Sequence, residues 1–215
     1  GALQHGDVDI LLSSIDYVTS DYWAKYKNKL EKISVASYGV RQGLVVPSYM
    51  NIDSVDQLNT VSDKVGGKII GIEPGSGLMR EAADALKKYD LKYEIIDGST
   101  AAMVAQLQSS LERKEPVVVT LWEPSWMMQK FDVKFLADPK GAFAPPQGYY
   151  WIGQKGWSEK NPRARESVAT VYIPKDDITA IAGDMNNGKT VDQAVATWWD
   201  KNQKLVDKWS VMSPK

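Results

Sequence analysis

A chain of 215 residues is long enough to bury a core and to form one domain or two small lobes. Its 26 Lys+Arg against 27 Asp+Glu leave it near neutral, with no basic stripe to offset a phosphate backbone, so nucleic acid is not an expected partner. The absence of cysteine excludes a disulfide framework and a thiolate metal site, and no apolar run approaches the roughly 20 residues of a membrane helix.

In chain order, "DVDILLS" at 7–13 predicts a short buried strand, and "DYVTSDYWAKYKNKL" at 16–30 a helix with an aromatic stripe. "KISVASYGV" and "QGLVVPSYM" read as two separate β-rich runs, the second stopped by Pro47, and "SVDQLN" as a short helical turn. A regular alternation follows: "KIIGIE" strand, "GSGLMREAADALKKYD" helix, "LKYEIID" strand, "STAAMVAQLQSSLERK" helix, "PVVVTLW" strand, "SWMMQKF" helical turn, "VKFLAD" strand. Strands alternating with helices of this length predict βαβ units and a parallel sheet. The Pro- and Gly-rich 139–150 reads as a connection, "YWIGQKGW" as a returning strand, and the remainder as helices. The fold class expected is α/β in two lobes around a cleft, with 48–147 forming the second lobe. Residues 1–47 and 148–215 read as parts of the first lobe. The start, "GALQHGDVDILL", lacks the pattern of an export signal.

Catalytic patterns are sparse. The one histidine is His5; Ser76 in "EPGSGL" does not complete a G-x-S-x-G elbow; no Walker or dinucleotide pattern and no metal-ligand spacing occurs. Glu73 and Glu123 both follow strands and are the only candidate carboxylate pair. No enzyme, metal or cofactor is expected. The aromatic balance points elsewhere: 8 Trp and 10 Tyr against 3 Phe favour the rings that carry a polar handle, used where a ring meets a ligand or the surface.

Two stretches suggest a site. In "KIIGIEPGSGLMREAADAL" a strand runs through Pro74–Gly75–Ser76–Gly77 into a helix that Ser76 is suited to cap. Free amides of Gly77, Leu78 and Met79 at that helix start suit a carboxylate or phosphate, although an ordinary capped turn has the same sequence. In "VVVTLWEPSWMMQKF", Trp122 leaves its strand at the same C-terminal sheet edge, where ligands of open α/β sheets bind. An indole face attracts a cation whose charge is spread over methyl groups. A zwitterion with a methylated ammonium and a carboxylate matches both features.

"IIGIEPGSGLM", "AAMVAQL", "VVVTLWEPSWM", "KFLADP", "QGLVVPSYM" with "SVDQL", "QKGWSEKNP" and "VATWWDKNQKLVDKW" together resemble, in order and spacing, the substrate-binding proteins of glycine betaine and related ABC importers. The resemblance implies a type II periplasmic-binding fold closing on a small osmolyte, an extracytoplasmic location and a membrane permease as partner. By motif, Trp122 would be one wall of an aromatic box, and Gly77 and Leu78, beside Ser76, would give the carboxylate donors. The family's box tryptophan and carboxylate-contacting histidine fall here on Ser14 and Thr19, which supply neither ring nor charge. Tyr17, Tyr150, Tyr22, Trp23 and Trp151 are candidate replacement rings; Trp126 reads as a support, and Trp198 and Trp199 as packing. The family also has an N-terminal strand–helix segment before the point matching "GALQHGDVD", so the first lobe is expected to be incomplete. That implies poor binding of glycine betaine or none, and an open sheet edge that needs a partner, either the missing segment or a second copy of the chain. The alternative reading is a binding-fold module that has lost its solute and serves in sensing or interaction.

Overall fold

The computed structural model describes residues 2–15 and 20–212. The chain divides into two compact units, Gly1–Val40 with Pro146–Lys215, and Arg41–Pro145. The expected boundaries near Pro47 and Gly148 lie further along the same stretches of chain than the observed crossings.

The strands are β1 (Ile10–Ser13), β2 (Leu30–Pro47), β3 (Lys68–Ile70), β4 (Glu94–Ile96), β5 (Val119–Glu123), β6 (Val133–Phe135) and β7 (Gln147–Gln154). The helices are α1 (Ala2–His5), α2 (Ser20–Tyr26), α3 (Gly77–Lys88), α4 (Thr100–Arg113), α5 (Trp126–Lys130), α6 (Trp157–Lys160), α7 (Pro162–Thr170), α8 (Lys175–Asn186), α9 (Val191–Lys201) and α10 (Gln203–Met212). A 3-10 stretch, Val55–Val65, replaces the shorter helical turn expected there.

In the 41–145 unit, β5 lies parallel to β3 and β3 parallel to β4. Both crossovers, through α3 and α4, are helical, as parallel strands require. The C-terminal half of β2 pairs antiparallel with β5 and with β6, so the parallel sheet read from the alternation covers only three strands. Helix α3 buries Leu78, Met79, Ala82 and Ala85, and α4 buries Met103, Leu107 and Ser110; each set follows the helical period onto one face. The apolar members of both sets join one core from Leu44 to Phe143. The Pro- and Gly-rich connection after β6 is ordered by Asp138. Its carboxylate accepts from the Tyr89 hydroxyl (2.5 Å) and from the amides of Ala142 (3.0 Å) and Phe143 (2.7 Å). Burial and that acidic partner push the Tyr89 phenol up to about 12.

In the other unit β7 is central, antiparallel to β1 on one side and to the N-terminal half of β2 on the other. β2 is thus a single strand, where two runs were expected. Gly39, at φ +103°, does not turn the chain: it sits at one of three register shifts against β7, so the strand bends and continues. The last helical stretch, expected to be continuous, divides at Asn202, whose amide closes back on Trp198 and Trp199 carbonyls.

Candidate functional site

The C-terminal edge of the parallel strands gathers the second-lobe candidates. β3 ends in a turn through Gly75, whose φ of +87° requires glycine, and Ser76 then caps α3 by accepting the Met79 amide at 3.3 Å. That bond satisfies one of the first-turn amides. Among the described residues, the Gly77 and Leu78 amides have no acceptor, as the opening turn of a helix leaves them. The Leu78 side chain is buried in the core, so only its backbone is available. Gly77 adopts no left-handed conformation, and a Cβ there would meet nothing closer than 3.8 Å. The turn itself therefore does not require glycine at this position.

Trp122 is the one residue of β5 that keeps an open face; its strand neighbours are all buried. It packs on the core at its edge without joining it. Its cross-strand partner on β2 is Gln42, and opposed residues of an antiparallel pair stand on the same face. The Gln42 Nε2 in turn would lie 3.9 Å from a Cβ on Gly77. Gln42 thus stands on the same face as Trp122 and reaches toward the α3 N-terminus. It is held by donating from Nε2 to the Glu81 carboxylate, 2.8 Å away. Burial raises the Glu81 carboxyl above its ordinary value, against the opposing pull of Gln42, the Ala144 amide and the Arg80 charge. Arg80, in the first turn of α3, brings an Nη to 3.8 Å from the same Cβ position. Sequence reasoning missed both Gln42 and Arg80.

The carboxylate pair considered from sequence does not form. Glu73 accepts from the Thr100 amide (2.9 Å) and hydroxyl (2.8 Å), which closes the N-terminus of α4 and holds its carboxyl below the ordinary range. Glu123, buried, is bound by the Arg41 Nε at 2.6 Å, and that guanidinium lies 4.2 Å from the Phe135 ring centroid. The contrast between neighbouring helices is informative: α4 has a carboxylate of the chain on its first amide, and α3 has none.

The remaining candidates fall as follows. Ser14 is buried just after β1, beside Ser13, which is paired with Tyr150. The Tyr150 ring already carries a cation, with Lys32 Nζ 4.0 Å from its centroid. Tyr17 and Thr19 lie outside the described residues, as does the Tyr22 side chain. Trp23 packs on the small core of Leu3, Ile15 and Ile152, and the Trp151 indole reaches the Val171 carbonyl at 3.5 Å. Trp126 tilts against Phe131 at the edge of the main core. Trp198 is buried and stacked on Trp209, whereas Trp199, expected to pack, is 44% exposed, because successive helical positions point about 100° apart. Two surface depressions of about 390 and 450 Å³ share Tyr49 and Lys114. They lie at the N-terminal end of β5, away from Trp122, and contain none of the candidates.

Residues 1–202 match the family model described as the substrate binding domain of ABC-type glycine betaine transport systems. The chain is 32% identical over 158 residues to the glycine betaine/carnitine transport binding protein GbuC of Listeria monocytogenes, covering 72% of this chain and 53% of that protein. It therefore spans about half the length of this curated relative. Among solved structures, lactococcal OpuAC in its closed form with glycine betaine superposes with a TM-score of 0.79 at 31% identity, covering 97% of this chain and 82% of that one. The glycine betaine, L-proline binding protein ProX of Borrelia burgdorferi superposes at 0.76, also at 31% identity, covering 100% and 81%. The fold class is that of these periplasmic-type binding proteins.

Proposed function

Because the chain belongs to the family of substrate-binding domains of ABC-type glycine betaine transport systems, we propose that it is the solute-binding component of an importer. It acts outside the cytoplasm and delivers a small quaternary-ammonium or betaine-like solute to a membrane permease. The family is one of binding proteins, not enzymes.

The observation that supports the reading is the juxtaposition of Trp122, its cross-strand partner Gln42 and the unpartnered amides of Gly77 and Leu78. A betaine has its two charges a few bonds apart. Its methylated ammonium cannot donate strong hydrogen bonds, so it gains more from the indole face than from a carboxylate. Its carboxylate takes the α3 amides, backed by the positive end of the helix dipole.

Calorimetry with glycine betaine and choline, repeated on Gly77→Val, tests this. Wild type should bind glycine betaine better than choline, because choline offers no carboxylate. Gly77→Val should lose that preference with little change in melting temperature, since the backbone there is one any residue adopts. Choline bound more tightly than every carboxylated analogue would overturn the amide assignment. No saturable response to any quaternary ammonium compound would favour the solute-free interaction module instead.

A further inference from the structure

We infer that Arg80 is a specificity-determining residue of this site, adding a cationic donor for the solute's anionic end; this rests on the solute reading above. In α3 the first turn is Gly77, Leu78, Met79 and Arg80, with no acidic residue. A cation there opposes the helix dipole, which favours negative charge at an N-terminus. Among the described residues, Arg80 also has no hydrogen-bond or ion-pair partner that would compensate; it acts on Glu81 only through space. Helix stability alone therefore gives no reason for an arginine at this position.

The geometry supplies one. Arg80 Nη2 and Gln42 Nε2 lie 3.8 and 3.9 Å from the point where a Gly77 side chain would begin. An anion seated on the Gly77 and Leu78 amides would occupy that space. It would meet the guanidinium from one side and the Gln42 carboxamide from another. The two side chains have different roles. Gln42 is a positioning residue, oriented by its bond to Glu81. Arg80 is the charged contact, and a guanidinium matches a carboxylate with two parallel donors. Glu81 is the opposing charge beside them. It lies in the second turn of the helix, and its carboxylate is engaged by the Gln42 Nε2 at 2.8 Å.

Selectivity between solutes follows. Arg80 attracts a carboxylate and repels a solute that is only cationic, so it favours betaines over choline on both counts. The test is calorimetry with glycine betaine and with choline on wild type, Arg80→Gln and Arg80→Lys, at low and high salt. Arg80→Gln should weaken glycine betaine by about tenfold or more. It should leave choline unchanged or improved and reduce the salt dependence of glycine betaine binding. Arg80→Lys should recover part of the loss. Because Arg80 is exposed and its charge opposes the helix dipole, Arg80→Gln should melt at or slightly above wild type, and Arg80→Lys with wild type. An equal loss for both solutes, or none for either, would overturn the assignment while leaving the solute reading in place. A wild type that binds neither solute at millimolar concentration would overturn that reading and this inference with it.

Discussion

Trp122 sits where a strand finishes and the core ends, so its indole packs on hydrophobic neighbours while staying partly exposed. Truncation should therefore separate binding from stability. Trp122→Ala is expected to lower betaine affinity roughly 5–30-fold, the equivalent of about 1–2 kcal/mol for a desolvated cation–π contact. The fold should survive, as judged by circular dichroism. Phe at this position should bind better than Leu, because it keeps a π face where Leu keeps only volume. Equal affinities for the Phe and Leu variants would show that the contact is only apolar. Trp122, Ser76 and Gly77 were legible in the sequence because each depends on local chemistry: a strand end, an N-cap, a missing side chain. Gln42 and Arg80 were not. Gln42 reaches the site through β2–β5 register across some eighty residues of chain, and no local pattern encodes that pairing. Arg80 looks like any solvated helix residue until its neighbour across the turn is known.

The two helices behind the site solve their N-termini differently, and acid titration should reveal it. Glu73, bonded at the start of α4, has a carboxyl held below its ordinary 4.5 by the Thr100 amide and hydroxyl. Its contribution is complete above that ordinary value and is lost as pH falls through the lower folded one. Glu81 has the opposite sign, since burial raises it. It favours the folded state where it is protonated and costs stability as pH rises through its elevated value. Glu73→Gln should therefore melt lower than wild type at neutral pH and converge with it in strong acid. Glu81→Gln should melt at or above wild type at neutral pH, with the difference disappearing once the pH drops below the ordinary carboxyl value. Melting curves across the acid range check both, and a Glu81→Gln variant that is destabilised at neutral pH would refute the sign for Glu81. The α3 and α4 elements themselves were readable from caps and period. β2 was not readable as one strand, because Gly39 imitates a turn and only the ladder with β7 shows that the chain continues through it. The antiparallel placing of β2 and β6 was hidden for the same reason: apolar runs declare burial, not direction.

At the level of the whole molecule, β1 is the outermost strand of its sheet, and among the described residues no strand pairs with its outer edge. Leu11 and Leu12 on it are 36% and 45% exposed. An uncharged, apolar edge is a template for another strand. The expected occupant is either the segment that precedes this stretch in its relatives or, for the 215 residues alone, the same segment of a second copy, which would place like residues opposite each other across a two-fold axis. Light scattering should show concentration-dependent association, and Leu12→Lys should shift it toward monomer without lowering the melting temperature. A wild type that stays monomeric at high concentration would rule this out.

The order in which the two units occur along the chain has a consequence for how the protein is made. The 41–145 unit is uninterrupted and owns the whole core from Leu44 to Phe143, so all its partners have been synthesised before the segment after Pro145 exists. The other unit waits: β1 and the first half of β2 must remain without β7 until the ribosome has passed Gln154. Closing so long a loop carries an entropy cost that local contacts do not, and non-local strand pairing is slow. Nascent chains should therefore acquire protease resistance in two stages, first the middle and then the ends. Residues 41–145 expressed alone should fold cooperatively, whereas residues 1–40 should not. Until β7 arrives the β1 and β2 strands are unpaired, and that is when the chain has most need of a chaperone.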